Sequence, residues 1–227
     1  TVERVNVPTA GGEADGVTFR GMVSGNGRYV GFRSRANNLV AHDTNDALDV
    51  FVHDRATGRT RRVSVASDGT QADASGFDHG WRASFFMSRP FLSANGRYAA
   101  FTSRALNLVE DDRNEKADVF VHDLWTGRTI RVSLTADGTE ADGDSLVAGI
   151  SADGRVVAFT SLADNPPVNG ADDDLGQALP VAATGFALGE IIWTLTSRGG
   201  PTFGQLWRRW HDFIAWAPDT APRFGPR

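Results

Sequence analysis

An all-β fold of repeated four-stranded sheets is expected here, and three observations raise that expectation. A peptide block recurs three times along the first two-thirds of the chain. Each copy opens on a glycine-containing turn dipeptide, and no segment between the copies carries a helical period. Self-similarity of this kind takes precedence over any local signal, because it sets the unit that packs. Ser24-Gly-Asn-Gly-Arg-Tyr-Val-Gly-Phe-Arg-Ser34 returns as Ser93-Ala-Asn-Gly-Arg-Tyr-Ala-Ala-Phe-Thr-Ser103 and as Ser151-Ala-Asp-Gly-Arg-Val-Val-Ala-Phe-Thr-Ser161. A second block, Asp49-Val-Phe-Val-His-Asp-Arg-Ala-Thr-Gly-Arg-Thr60, returns as Asp118-Val-Phe-Val-His-Asp-Leu-Trp-Thr-Gly-Arg-Thr129. The spacing is 69 residues from Ser24 to Ser93 and 58 from Ser93 to Ser151, so an insertion of 11 falls between Asp78 and Pro90.

Each element follows from turn and strand chemistry. Asn26-Gly27, Asn95-Gly96 and Asp153-Gly154 are dipeptides suited to tight hairpin turns. The apolar run after each ends in Phe then Ser, as a buried strand does. Val50-Phe51-Val52 and Val119-Phe120-Val121 are β-formers, closed by Thr57-Gly58-Arg59 and Thr126-Gly127-Arg128. Arg62-Val-Ser-Val65 and Arg131-Val-Ser-Leu134 supply the returning strand, and Arg4-Val-Asn-Val7 is the same element near the start. A further run precedes each Ser, at 17–23, 84–92 and 145–150. Four antiparallel strands per unit without helices is the signature of a β-propeller blade.

These two motifs resemble the TolB-like, six-bladed propeller repeats of bacterial proteins, in the arginine-heavy form of secreted actinobacterial proteins. The resemblance spans 1–165, with units near 24–92 and 93–150 and a partial unit from 151. It implies a secreted, cell-surface or periplasmic location and a scaffold used as a binding platform, a protease gate or a hydrolase or lyase frame. Arg4–Val7 then reads as the last strand of a preceding blade, and eleven strands in all are too few for a ring. Two accounts are open. The chain is a piece or rearrangement of a longer propeller; or a strand from the tail and the Arg4 strand complete a third blade, so that a homodimer of three-bladed chains builds the six-bladed ring. The tail, 166–227, departs from the repeat. Glu190–Thr202 reads as a degenerate strand and return, and Leu206–Trp216 has apolar residues near helical spacing, read as a Trp-rich helix that covers a blade face or docks a partner or membrane surface, or else as a segment without ordered structure.

Composition narrows the function. The net charge of −5 excludes a general nucleic-acid binder. The absence of cysteine removes disulfides, thiolate metal sites and a cysteine nucleophile. The most apolar stretch, 178–195, is broken by Pro180, Gly185, Gly189 and Glu190, so no membrane span is expected. Two acidic loops repeat, Asp43, Asn45 and Asp49 in one and Asp112, Asn114 and Asp118 in the other. Their oxygens suit Ca²⁺, although they lack an EF-hand pattern and also suit turn capping; no other cofactor is suggested. His53 and His122 recur with the fold and are expected to serve its hydrogen bonding, whereas His42, His79 and His211 do not recur. The insertion gathers Asp78, His79, Trp81, Arg82, Phe85 and Phe86, and loops that depart from a repeat tend to carry function. Signatures for a serine elbow, a zinc protease and a phosphate loop are absent. The expectation is a non-catalytic module that binds a protein, peptide or glycan through this insertion. The alternative is a hydrolase or lyase at the propeller mouth with His79 as acid or base.

Overall fold

The computed structural model describes residues 2–73, 89–135, 138–165, 181–185 and 191–192. It contains twelve strands among them and no helix. The first sheet is β1 (Thr18–Val23), β2 (Tyr29–Ser34), β3 (Asp49–Asp54) and β4 (Arg59–Arg62), antiparallel and ordered as in the chain. The second repeats it with β5 (Phe91–Leu92), β6 (Tyr98–Ser103), β7 (Asp118–Asp123) and β8 (Thr129–Arg131). Phe32 faces Phe51 across β2 and β3, and Phe101 faces Phe120 across β6 and β7, in the same register. The ring centroids are 5.9 and 5.8 Å apart. These are propeller-type blades, stacked in series without closing a ring.

The core lies between the sheets. Val50, Val52 and Val63 of the first meet Phe101, Phe120 and Leu92 of the second. Ala100, Val119 and Val121 on the other face of the second meet Phe159, Val157 and Val147 of the third. Phe32, Phe101 and Phe159 are all fully buried and equivalently placed, as their shared motif implies. Burying each ring contributes roughly 1.5–3 kcal/mol.

The third sheet departs from the pattern. β9 (Ser145–Ile150) and β10 (Val157–Ser161) pair antiparallel as in the other units, but β11 (Val181–Gly185) joins β10 in parallel, and β12 (Ile191–Ile192) closes on β11. The connection from Ser161 to Val181 is long enough for the crossover that a parallel pair requires. The tail therefore donates strands to the third sheet, yet Arg4–Val7 does not complete it. Residues 2–8 form no strand; instead Val7 and Thr9 bond to Thr60 of the first sheet. Arg62-Val-Ser-Val65 is likewise only partly strand. Its Arg62 ends β4, while Val65 leaves to bridge Gln71 in a small hairpin, a geometry that Leu134 and Glu140 repeat.

The turns before β2, β6 and β10 share one construction. Ser24 Oγ donates to Asn26 Oδ1 (2.7 Å) and accepts from Tyr29 N (3.0 Å), and Asn26 Oδ1 also accepts from Arg28 N (3.0 Å). Ser93 with Asn95, and Ser151 with Asp153, do the same. Only the glycines have positive φ, 71° at Gly27, 72° at Gly96 and 77° at Gly154. The Asn or Asp therefore acts through its side chain and not through a left-handed backbone.

Candidate functional site

The recurrent histidines are structural. His53 Nδ1 lies 3.0 Å from Thr60 Oγ1, which donates to Val7 O at 2.8 Å. His122 Nδ1 lies 2.9 Å from Thr129 Oγ1, which donates to Val65 O at 2.5 Å. Since each hydroxyl proton goes to a carbonyl, the imidazole must donate through Nδ1–H. Burial pushes His122 down to about 4, against the attraction of Asp123, and pushes His53 down as well. Both rings are neutral near pH 7 and join the trailing segment of one unit to the hairpin of the next. His42 has φ 60°, as does Asp111 in the matching place, and its carbonyl accepts from Arg62 Nη2 at 3.3 Å. That position is thus set by backbone geometry in both units.

In the two acidic loops the positive charge comes from arginine. Arg62 Nη1 lies 2.7 Å from Asp43 and 3.4 Å from Asp49, all three side chains being buried. Asn45 turns away, its Nδ2 donating to Ala72 O at 3.0 Å. In the second loop Arg131 Nη1 lies 3.2 Å from Asp112, 3.6 Å from Asp118 and 2.7 Å from Glu140. Asn114 Nδ2 donates to Asp118 (3.1 Å) and Ala141 O (2.9 Å). Ser64 and Ser133 each donate to the strand-initial aspartate, Asp49 or Asp118. Burial, with the nearby Asp49 charge, pushes Asp43 up to about 6 despite Arg62. Burial also pushes Asp112 up to about 7, with Asp118 and Glu140 adding to it against Arg131, and raises Asp118. Among the described residues no three His, Asp or Glu side chains form a group that would hold a metal ion. Calcium in either loop would compete with a guanidinium already bound there.

Asp78, His79, Trp81, Arg82, Phe85 and Phe86 lie outside the described residues, as do His211 and the Leu206–Trp216 segment. Asp68 accepts from Thr70 N at 2.8 Å, closing a turn on the surface. Among the described residues no helix is long and apolar enough to cross a membrane.

Where the turns of the first two sheets gather at one end, a cleft of about 620 Å³ opens between them. Its walls include Tyr29, Arg28, Asp54, Arg59 and Arg61 of the first unit and Gly96, Leu124 and Trp125 of the second. Trp125, on the β7–β8 turn, is 68% exposed. Its ring is held from one side by Arg97, whose guanidinium carbon is 4.7 Å from the indole centroid and 4.8 Å from that of Tyr98. Arg97 is itself fixed by the buried Asp123, with Nη2 at 2.7 Å. Against the upward push of burial, the Arg97 hydrogen bond and the Trp125 amide hold Asp123 below the usual carboxylate range. Arg28 and Asp54 form the same pair in the first unit, through two hydrogen bonds of 2.7 Å that hold Asp54 well below its ordinary value. There, however, Ala56 stands where the second unit has Trp125. Arg61 Nη1 crosses between the sheets to Leu124 O at 3.2 Å. The Arg59 side chain makes no hydrogen bond or ion pair with another described residue. Sequence reasoning passed over this site, although the change from Arg55-Ala56 to Leu124-Trp125 inside an otherwise repeated block was its visible signal.

No family model matches this chain, and no curated protein does. Among solved structures it is similar to TolB from Acinetobacter baumannii, at 15% identity and TM-score 0.39 over 76% of this chain and 35% of that one. It is similar to the tricorn protease at 14% identity and TM-score 0.36, over 61% of this chain and 10% of that one. A putative TolB from Agrobacterium tumefaciens matches at 14% identity and TM-score 0.30, over 57% and 38%. The chain thus spans about a third of the length of the TolB proteins it matches.

Proposed function

We propose that this chain is a non-catalytic, TolB-like binding module acting outside the cytoplasm, and that the cleft between its first two sheets takes part in binding. The observation that carries the reading is Trp125. A large aromatic ring stays exposed at a position where the repeat needs only alanine, and a clamped arginine fixes its orientation. Scaffold requirements explain repeated residues and leave this one unexplained, and exposed aromatics beside arginines are favoured at binding surfaces. The insertion carrying Asp78, His79, Trp81, Arg82, Phe85 and Phe86 is proposed as a second contact region for a protein, peptide or glycan partner. This reading needs no cofactor.

Arrays of glycans and peptides, probed with the wild type and with Trp125→Ala, test it. Retention by the wild type that is lost in the variant, with no turnover of glycosides, esters or peptides, is the expected result. Turnover that disappears in His79→Ala would establish the hydrolase or lyase alternative instead.

A further inference from the structure

We infer that the cleft selects a carboxylate-bearing sugar, a pyranose uronate, which stacks on the open face of Trp125 and presents its acid to Arg59. The inference rests on the binding-module reading and deepens it. Four features of the cleft point to this chemistry.

The first is charge. Arg28, Arg59 and Arg61 line the cleft against a single carboxylate, Asp54. Arg28 already satisfies Asp54 through both oxygens. Arg61 spends a donor on a neutral carbonyl and forms no ion pair among the described residues, and the Arg59 side chain has no partner among them. A carboxylate is the planar anion that a guanidinium fork matches. The second feature is the aromatic platform. With Arg97 against one face of the indole and Asp123 behind Arg97, the ring loses little freedom when a ligand covers the other face. A pyranose offers an apolar C–H face to such a ring and hydroxyls to the polar rim, where Thr57 and Thr9 stand.

The third feature weighs against a peptide. An extended peptide recognised by strand addition needs free backbone groups on an exposed sheet edge. The outer edge of β4 is occupied at Thr60, whose N–H donates to Thr9 Oγ1 (3.2 Å) and whose carbonyl accepts from the same hydroxyl (3.1 Å). Ser67 closes β8 at Thr129 in the same way, at 3.0 and 3.2 Å. The fourth is size and access. The volume, about 620 Å³, is that of a small-molecule site, and nothing lies within 4 Å of where a side chain on Gly58 would point, so the rim there is open.

A matched pair of probes separates these contributions. Cellouronic acid trisaccharide and cellotriose share a backbone and differ in their carboxylates. Isothermal titration of each into the wild type, Trp125→Ala and Arg59→Gln should show binding of the uronate, at least tenfold weaker binding of cellotriose, and at least tenfold loss of uronate affinity in each variant. Both side chains are exposed, so unchanged melting midpoints are expected, and Trp125→Phe should recover part of the affinity. Failure of the wild type to bind the uronate, or binding indifferent to both substitutions, overturns the inference. Hexaglutamate or a thymidine oligonucleotide binding in place of the sugar, with dependence on Trp125, also overturns it. In that case the binding-module reading survives, whereas array binding untouched by Trp125→Ala removes that reading.

Discussion

Thr60 and Thr129 each place one hydroxyl between a neutral imidazole and a carbonyl from the preceding segment, so one side chain satisfies two buried polar groups. In Thr129→Val the shape is kept, but Val65 O and His122 Nδ1 both lose their partner. Each orphaned group costs about 1–3 kcal/mol, and denaturant titration should show a loss of that order. Two buried aspartates of the acidic loops act in the opposite sense to ordinary surface carboxylates. Asp43 and Asp112 have folded pKa values raised to about 6 and about 7. Their contribution to stability is therefore complete below the unfolded value and is lost as pH rises through the folded one. Asp54 and Asp123 are held low, so theirs is present above the unfolded value and lost as pH falls. Together these place maximal stability on the mildly acidic side of neutrality. Melting midpoints followed from about pH 4 to pH 8 should decline between about pH 4 and pH 7 and level off above that, and Asp112→Asn should flatten the decline. Asp112 faces Arg131, Asp118 and Glu140, and removing its charge leaves Arg131 two acidic partners.

Strands and turns join the units through contacts as repetitive as the motifs themselves. Tyr29 lies over Gly96 and Tyr98 over Gly154, so that a Cβ on Gly96 would stand 2.0 Å from the Tyr29 ring and one on Gly154 2.2 Å from Tyr98. Gly27 has the same backbone, at φ 71°, but nothing within 4 Å of that position. The pair separates two costs. Gly27→Ala should destabilise by about 1–2 kcal/mol, the cost of a left-handed alanine. Gly96→Ala should cost clearly more, because the tyrosine must also leave its seat, and thermal unfolding of the two variants measures the difference. Asn26 N donates to Ala94 O (3.0 Å) and Ala94 N to Ala152 O (2.8 Å), tying successive turns together. The third unit has Val156 where the others have tyrosine, so it cannot extend the Tyr-on-Gly series in the same way.

Three sheets in series leave the question of what stands beside the first and the third. The N-terminal segment already occupies, on Thr60, the place that Val65 and Ser67 take on Thr129, so the first sheet is covered as though a unit preceded it. A homodimer that completes a ring predicts a solution mass of two chains by light scattering, and a single-chain mass excludes it. A head-to-tail copy would set Val156 against Gly27, without the tyrosine contact that joins the units described here.

Repetition made most of this architecture legible in advance. The strands β1 to β3, β6, β7, β9 and β10, their turn glycines, the buried phenylalanines and the structural character of His53 and His122 all follow from motifs that recur, because a recurring residue serves what recurs. β4 and β8 instead end at the Arg62 and Arg131 where the sequence placed their start. Other features needed long-range placement. Arg62 and Arg131 reach the acidic loops only when β4 and β8 fold beside them, so loop composition alone left calcium and turn capping both open. The parallel seat of β11 depends on where a crossover lands, and nothing local encodes it. The cleft exists because two turns from different sheets end side by side, and Trp125 gains its meaning from an arginine 28 positions earlier in the chain that the sheet pairing brings under its ring. Local patterns specify elements through short-range sterics and hydrogen bonding, whereas charge partners and concave surfaces arise where distant segments pack.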